Sequence, residues 1–593
     1  MPEQNLFPEP NLNTDAAKFL VARETLLNAA SYEEACETFR WPDLTHFNWA
    51  LDYFDPMARD NEHTALIWVD QTDAEKRVSF NCLRSRSNQV ANFLQDLCLE
   101  KGDVVMALMH NTIPLFELLL AAMKVSAVVT PGSILLTTED IADRIRRGGI
   151  KAIVADESML DRIEQCGDLL ATVKIKIVIG QNARRGWVPF EKAYGFSDAF
   201  KPAFPTYVTD PCLLYFTSGT TAQPKIVLHT HASYPVGHLV TMYWLGLHEG
   251  DIHYNISAPG WGKHAWSSFF APWNAGATIL VFHYDRFPAK QALQIIERYK
   301  VTSLCAPPTV WRRFLIEDLT TYKFSLRSLV SAGEPLNPEI IERVAQVTGV
   351  KIREGYGQTE TVLQIGTFPG MAVKPGAMGR AAPGFKVSIV GPSLHPITAG
   401  QEGQIALRVS PERPLGLMKG YRCDRRRDDE VFIGGWYLTS DVALCDADGY
   451  YWFIGRNDDV FKCSDYRISP FEVESELLKH PAVAEAAVIG SMDDVRDGLV
   501  PKAFIALRPG NEPTPELAVD IFRFCRNAMA PYKRPRRIEF MSELCKTVSG
   551  KIKRVELRNY DDNLRRLKKR GELEFQESDF GQRFGRPAPI QNH

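Results

Sequence analysis

The chain has no long uninterrupted apolar run. Its most hydrophobic stretch, Ile113 to Val129, is broken by Glu117 and Lys124, which predicts a buried helix leading into a strand and not a membrane span. Its eleven cysteines form no Cys-x-x-Cys pair and no zinc-type spacing, and the odd number fits free thiols in a reducing cytoplasm. Charge of one sign is also missing. With a formal net charge of -3 there is no excess of the positive charge that binding a phosphate backbone requires, so no nucleic acid is expected as a partner. The N-terminus lacks a basic-then-apolar pattern and carries Glu3, Glu9 and Asp15 early. Internal repeats and low-complexity tracts are absent.

At 593 residues the chain is too long for one core, and hydrophobic and charged contents of 45% and 24% are those of a soluble globular protein. Residues 1 to about 60 read as an irregular lead-in with one helix near Ala16 to Ala29, pinned by Trp41, Phe47, Trp49, Tyr53 and Phe54. From Phe80 the pattern alternates. Leu83, Val90, Phe93, Leu94 and Leu97 recur at helical spacing before the run Val104 to Met109, and short β-branched runs follow at Ala152 to Ala155 and Ile175 to Ile179. The alternation resumes through Thr278 to Phe282, a helix at Ala289 to Tyr299, Ser303 to Ala306 and Leu329 to Ala332. Such alternation predicts an α/β fold with mainly parallel sheets covered by helices, whose carboxyl-end turns line a ligand crevice. From Pro375 a β-rich subdomain is expected, with the charge run Arg425 to Glu430 as a solvated loop. A small α+β unit follows, with helices at Phe471 to Lys479 and Glu516 to Met529 and strands at Ala484 to Ile489 and Ala503 to Leu507. The expected divisions are 1–457, 458–560, and 561–593 as a basic helix with a weakly ordered tail.

One stretch is richest in chemistry: Tyr215-Phe216-Thr217-Ser218-Gly219-Thr220-Thr221-Ala222-Gln223-Pro224-Lys225. A strand delivers four hydroxyl side chains around a glycine, whose neighbouring N–H groups can close on an anion. Lys225 adds a cation. The loop lacks the Gly-Lys-Ser/Thr of the common nucleoside-triphosphate loop, so it is a phosphate cradle of another kind or an ordinary Ser/Thr-rich turn. Four further stretches accompany it: Gly355-Tyr356-Gly357-Gln358-Thr359-Glu360-Thr361; Tyr437 to Asp441 with Gly455-Arg456; Lys462 to Glu474; and Thr547-Val548-Ser549-Gly550-Lys551.

In order and spacing these stretches resemble the adenylate-forming superfamily of acyl-CoA synthetases, peptide-synthetase adenylation domains and luciferases. The run from Gly333 to Val473 is most similar to the medium-chain acyl-CoA synthetase branch. The resemblance implies a large N-terminal adenylation domain and a small mobile C-terminal domain. It makes Thr217, Ser218, Gly219, Thr220, Thr221 and Lys225 the phosphate loop, and Gly333, Glu334, Pro335 and Tyr356 the adenine site. Thr359 would meet the α-phosphate and Glu360 would hold Mg²⁺, which takes one or two carboxylates plus substrate phosphates. Asp441 would bind the ribose with Arg456 behind it, Arg467 would meet phosphate, and Asp458 would be the hinge. Ser464, Asp465 and Tyr466 would form the CoA loop, and Lys551 would serve catalysis of adenylation.

The implied reaction has two halves: a carboxylate attacks ATP to give acyl-AMP and pyrophosphate, then CoA takes the acyl group and AMP leaves. Acetate-activating relatives have tryptophan where Gly357 stands, so a longer, branched or aromatic acid is expected. Trp261, Gly262, His264 and Val310 are candidate walls and Gly357 the floor of the acyl pocket. Asp465 stands where the family has glycine, which leaves open an acyl-AMP ligase that loads a carrier protein or stops at the adenylate. A catalytically silent nucleotide-binding protein is a further alternative, disfavoured by the presence of Lys551, Glu360 and Asp441.

Overall fold

Two charges inside the most apolar helix show how the core is assembled. The helix Ile113–Lys124 is followed by the strand Val128–Gly132, as its sequence predicts. Glu117 and Lys124 are both fully buried and both paired. Glu117 accepts from Tyr194 Oη at 2.7 Å and lies 3.3 Å from Arg86 Nη1. Lys124 Nζ lies 2.7 Å from Asp55 Oδ1 and donates to Ser87 and Asn88; burial pulls its ammonium down to about 8. Buried charges persist only with such partners.

The computed structural model describes residues 14–180, 184–217, 224–457, 459–463, 466–493, 498–546 and 551–583. They fall into two compact units. The larger is drawn from Met1–Ser388, Ala406–Thr439 and Cys445–Trp452, the smaller from Ile389–Ile405, Ser440–Leu444 and Phe453–His593.

The larger unit holds two sheets. In one, the strands Arg353–Gly357, Ser328–Ala332, Ser303–Cys305, Ile252–Asn255, Thr278–His283 and Thr64–Asp70 lie side by side and parallel. In the other, Pro211–Thr217, Val128–Gly132, Val104–Leu108, Ile150–Asp156 and Ile175–Ile179 are parallel. Lys225–Thr230 joins that sheet antiparallel to Pro211–Thr217. Local signals set the helices. Thr137 and Asp140 form a reciprocal cap on Thr138–Gly148, and Gly149 closes it at φ 61°. Phe47, Trp49, Tyr53 and Phe54 are all in the core, where Trp49 Nε1 donates to Asn274 Oδ1 at 2.7 Å.

Two expectations need correction. The charge run is not a loop: Arg425–Val431 is a helix, capped by Asp424 accepting from Arg427 N. Residues beyond 560 are not set apart either. The helix Arg554–Arg566 crosses that boundary, and the strand Glu574–Gln576 pairs with Arg537–Phe540 to complete a sheet with Val483–Asp493 and Gly498–Leu507. A buried cation explains this. Lys502 Nζ lies 2.6 Å from Glu539, 2.8 Å from Asp561 and 2.7 Å from Glu574, binding three elements at one point. No helix among the described residues is long and apolar enough to cross a membrane.

Replacing Lys502 by Met should therefore cost about 3–5 kcal/mol of stability, because the carboxylates stay buried without their cation. Burial alone would raise Glu574, yet Lys502 and Arg565 hold it below the ordinary glutamate value. Its contribution is complete above the unfolded carboxylate range and vanishes as pH falls through the lower folded value. Urea unfolding of both proteins at pH 7 and near pH 4 measures the difference, which should narrow in acid.

Candidate active site

The hairpin of Pro211–Thr217 and Lys225–Thr230 brings Thr217 opposite Lys225. Ser218, Gly219, Thr220 and Thr221 lie between them, outside the described residues. Lys225 Nζ stands 4.0 Å from Glu360 Oε1 and 5.4 Å from the centre of the Tyr421 ring. Tyr421 Oη donates to the same Glu360 oxygen at 2.8 Å; burial first, then this carboxylate, pushes the phenol pKa up. Asp428 of the unexpected helix accepts from Tyr421 N at 2.8 Å, and Met418 N donates to Glu360 O at 2.7 Å. A single buried carboxylate is thus held from its backbone, its side chain and a neighbouring cation. Among the described residues no cluster of three or more His, Cys, Asp or Glu could hold a metal. Glu360 alone is a carboxylate of the kind that Mg²⁺ takes when substrate phosphates complete its shell.

The residue before Glu360 is laced as tightly. Thr359 O accepts from His229 Nε2 at 2.7 Å and from Tyr234 Oη at 3.3 Å, and Trp266 Nε1 donates to that phenol at 3.0 Å. A carbonyl only accepts, so His229 carries its proton on Nε2 and takes Ser233 Oγ–H on Nδ1 at 2.9 Å. Burial drops His229 to about 3, which keeps it neutral. Gln358 donates to Thr439 O at 2.8 Å and accepts from Tyr437 Oη at 3.0 Å. Gly262 lies against this lattice, since a Cβ there would sit 2.9 Å from Tyr234 Oη and 3.6 Å from Thr359 Oγ1.

Adjacent parallel strands place the adenine candidates together. Ala332 pairs with Gly355, so Gly333 and Tyr356 both follow at carboxyl ends. Gly333 has φ +108°, a conformation side chains rarely adopt. Glu354, pushed up to about 8 by burial, accepts from Leu336 N at 2.9 Å and ties the Gly333-Glu334-Pro335 turn to the strand of Tyr356. Lys263 Nζ donates to Ala332 O at 3.0 Å, tying the start of the helix Gly262–Ala265 to the end of the strand Ser328–Ala332.

An apolar cavity is lined by Leu115, Leu119, Met123, Leu213, Tyr215, Trp261, His264, Ala265, Phe269 and Phe270 among others. Two of the candidate wall residues, Trp261 and His264, are in its lining. Val310 is not one of them; it is packed in the hydrophobic cluster with Tyr254, Trp311 and Leu336. Gly357 does not border a void. A Cβ there would fall 2.5 Å from Trp266 Cη2 and 2.4 Å from Val362 O, so the indole of Trp266 takes the space that the missing side chain leaves.

A family model described as AMP-binding enzyme matches residues 54–422, and one described as AMP-binding enzyme C-terminal domain matches 472–551. The chain belongs to the AMP-binding enzyme family. It is 39% identical over 542 residues to the mitochondrial acyl-coenzyme A synthetase ACSM3 of Rattus norvegicus, covering 90% of this chain and 93% of that protein. It is 42% identical over 557 residues to 4-hydroxybutyrate–CoA ligase 1 of Metallosphaera sedula, covering 92% and 96%. The anthranilate CoA ligase AuaEII, crystallised with anthranoyl-AMP, superposes with a TM-score of 0.80 at 30% identity over 88% of this chain and 98% of that one. The protein is an AMP-forming acyl-CoA ligase, with a carboxylic acid, ATP and CoA as substrates.

Several motif positions of this AMP-binding enzyme lie in its smaller unit. Asp441 is buried on the strand Trp436–Cys445, and Arg456 ends the neighbouring strand Tyr451–Arg456, where Asn457 N donates to Ser440 O at 2.9 Å. Tyr466 and Arg467 stand on the strand Tyr466–Ile468, which pairs with Phe461–Cys463. Asp458, Ser464 and Asp465 lie outside the described residues. Lys551 is exposed, just before the bridge between Lys546 and Ile552. Sequence reading missed Tyr421, Asp428, His229, Tyr234 and Trp266. Only His229 left a signal, as a polar residue facing inward on an apolar strand.

A Gly357→Ala protein should lose about 1–3 kcal/mol by overpacking against Trp266 and Val362 O. Gly357→Trp should lose soluble folded protein instead of gaining acetate specificity. Thermal melts and turnover with acetate and hexanoate check both.

Proposed function

We propose that this acyl-CoA synthetase acts on medium-chain or aromatic acids, with the tail in the cavity beside Trp261 and His264. The observation that carries this reading is the cavity's lining, apolar along the helix Ile113–Lys124 and aromatic at Tyr215, Phe269 and Phe270. The names of its relatives, a 4-hydroxybutyrate–CoA ligase and an anthranilate CoA ligase among them, support an acid larger than acetate. Gly357 leaves no room for that tail, because Trp266 and Val362 fill the space beside it.

Adenylation asks for position and charge neutralisation more than for proton transfer. Thr217, Lys225 and the loop they close would hold the phosphates, and Thr359 the α-phosphate. Glu360 would hold Mg²⁺, which supplies charge neutralisation when bound. Tyr356 and the turn at Gly333 would flank adenine, and Asp441 with Arg456 would take the ribose. Lys551 would answer charge in the first half, and Arg467 would meet phosphate. Rotation at Asp458 would then present Ser464, Asp465 and Tyr466 to CoA. All eleven cysteines are free, which supports residence in a reducing compartment, the cytoplasm in the simplest case.

ATP–pyrophosphate exchange with acetate, butyrate, hexanoate, benzoate and 4-hydroxybutyrate tests the reading, and a clear preference for acetate would overturn it. Ala265 lines the cavity, and Ala265→Leu fills it with three carbons. At about 0.8 kcal/mol per buried methylene, hexanoate should lose roughly 50-fold in kcat/KM relative to propionate. Lys551→Ala should abolish exchange yet still convert supplied acyl-AMP and CoA to thioester.

A further inference from the structure

Two arginines of the helix Arg554–Arg566 converge on one aspartate. Arg558 Nη1 lies 2.6 Å from Asp459 Oδ1, and Arg554 Nη1 lies 3.6 Å from Asp459 Oδ2. Arg554 Nη2 also grips both oxygens of Glu474, at 2.9 and 2.7 Å, on the helix Pro470–Leu477. Glu474 Oε1 in turn accepts from Val488 N of the strand Val483–Asp493 at 2.7 Å. The side chains of Asp459 and Glu474 are only 12% and 7% exposed. Four elements of the smaller unit therefore meet in one polar knot: the turn after Arg456, two helices and a strand.

Such a knot is a poor way to gain stability. Stripping water from four charges offsets most of their attraction, and apolar side chains of similar size would hold the same helices as well. What directional, bidentate pairs add is a single geometry. The neighbouring chain shows what that geometry serves. Lys551 stands three residues before Arg554, and the backbone just after it is pinned by the Lys546–Ile552 bridge and by Lys553 N donating to Cys545 O at 2.9 Å. Ile552 and Lys553 are thus tied to the backbone of Lys546 and Cys545, and Arg554 to Asp459 and Glu474.

We propose that Asp459 and Glu474 are positioning residues for Lys551: through Arg554 and Arg558 they hold the chain that directly follows the lysine in fixed register with Asp459 and the helix Pro470–Leu477. The proposal rests on the reading of Lys551 as the adenylation lysine. The paired strands Phe461–Cys463 and Tyr466–Ile468 make none of these ion pairs. Loss of the knot should therefore harm the first half-reaction and spare the second.

The test uses the full-length enzyme with hexanoate. ATP–pyrophosphate exchange reports adenylation, and synthetic hexanoyl-AMP with CoA reports thioester formation. Asp459→Ala should lower kcat for exchange by about 10- to 100-fold, because a misplacement of about 1 Å costs on the order of 100-fold. KM for ATP and the rate of thioester formation should stay within about threefold of the parent. Asp459→Glu, which keeps the charge, should recover part of the exchange. Arg558→Gln repeats the measurement from the other side of the ion pair, should Asp459→Ala fail to fold. Lys551→Ala is run beside them. If it abolishes exchange while Asp459→Ala and Arg558→Gln leave exchange unchanged, the positioning role is wrong and the lysine assignment stands. Equal loss of both half-reactions in the knot variants would show a merely structural role and overturn the proposal. Exchange retained by Lys551→Ala would remove the assignment on which it rests.

Discussion

Everything described around the nucleotide candidates depends on one buried carboxylate. Glu360 is largely buried, accepts a phenol hydrogen bond and lies 4.0 Å from a lysine, which together offset the cost of its burial. Each support belongs to a different part of the chain. Lys225 comes from the hairpin strand, Tyr421 from the strand Gly420–Tyr421 that pairs with it, and Asp428 from the helix beyond. The carboxylate thus fixes Lys225, which opens the returning strand of the hairpin, and the turn that carries Thr359 in one frame.

The neutral histidine next door follows the same logic by opposite means. His229 is too deeply buried to take a second proton, so it remains a one-proton donor to Thr359 O whatever the pH near neutrality. A charged donor there would add a second cation beside Glu360 and Lys225. A neutral one shapes the backbone without altering the field.

Much of this was legible in the sequence. Alternating helix and strand patterns gave the parallel sheets, and the apolar run Cys212 to Phe216 gave the strand that leads to Thr217. Contacts between side chains of distant strands were not legible, because no local pattern records them. Tyr421 carries no motif, and its role arises only because Gly420 pairs with Leu228. Gly357 misled for the same reason. Sequence shows that a side chain is missing but not that Trp266, ninety-one positions earlier, occupies the space. Arg425 to Glu430 misled differently, since six charged residues carry no apolar face to announce a helix that is held by its cap and by Asp428.

The helix Ile113–Lys124 has two kinds of neighbour. Leu115, Leu119 and Met123 form a stripe one turn apart that faces the cavity. Glu117 and Lys124 fasten the same helix to Arg86, Tyr194, Asp55 and Asn88 through interactions that tolerate little sliding. The cavity wall therefore behaves as a rigid gauge. Substitutions along the stripe would change the cavity's lining one residue at a time, while the ionic fastenings behind stay unchanged.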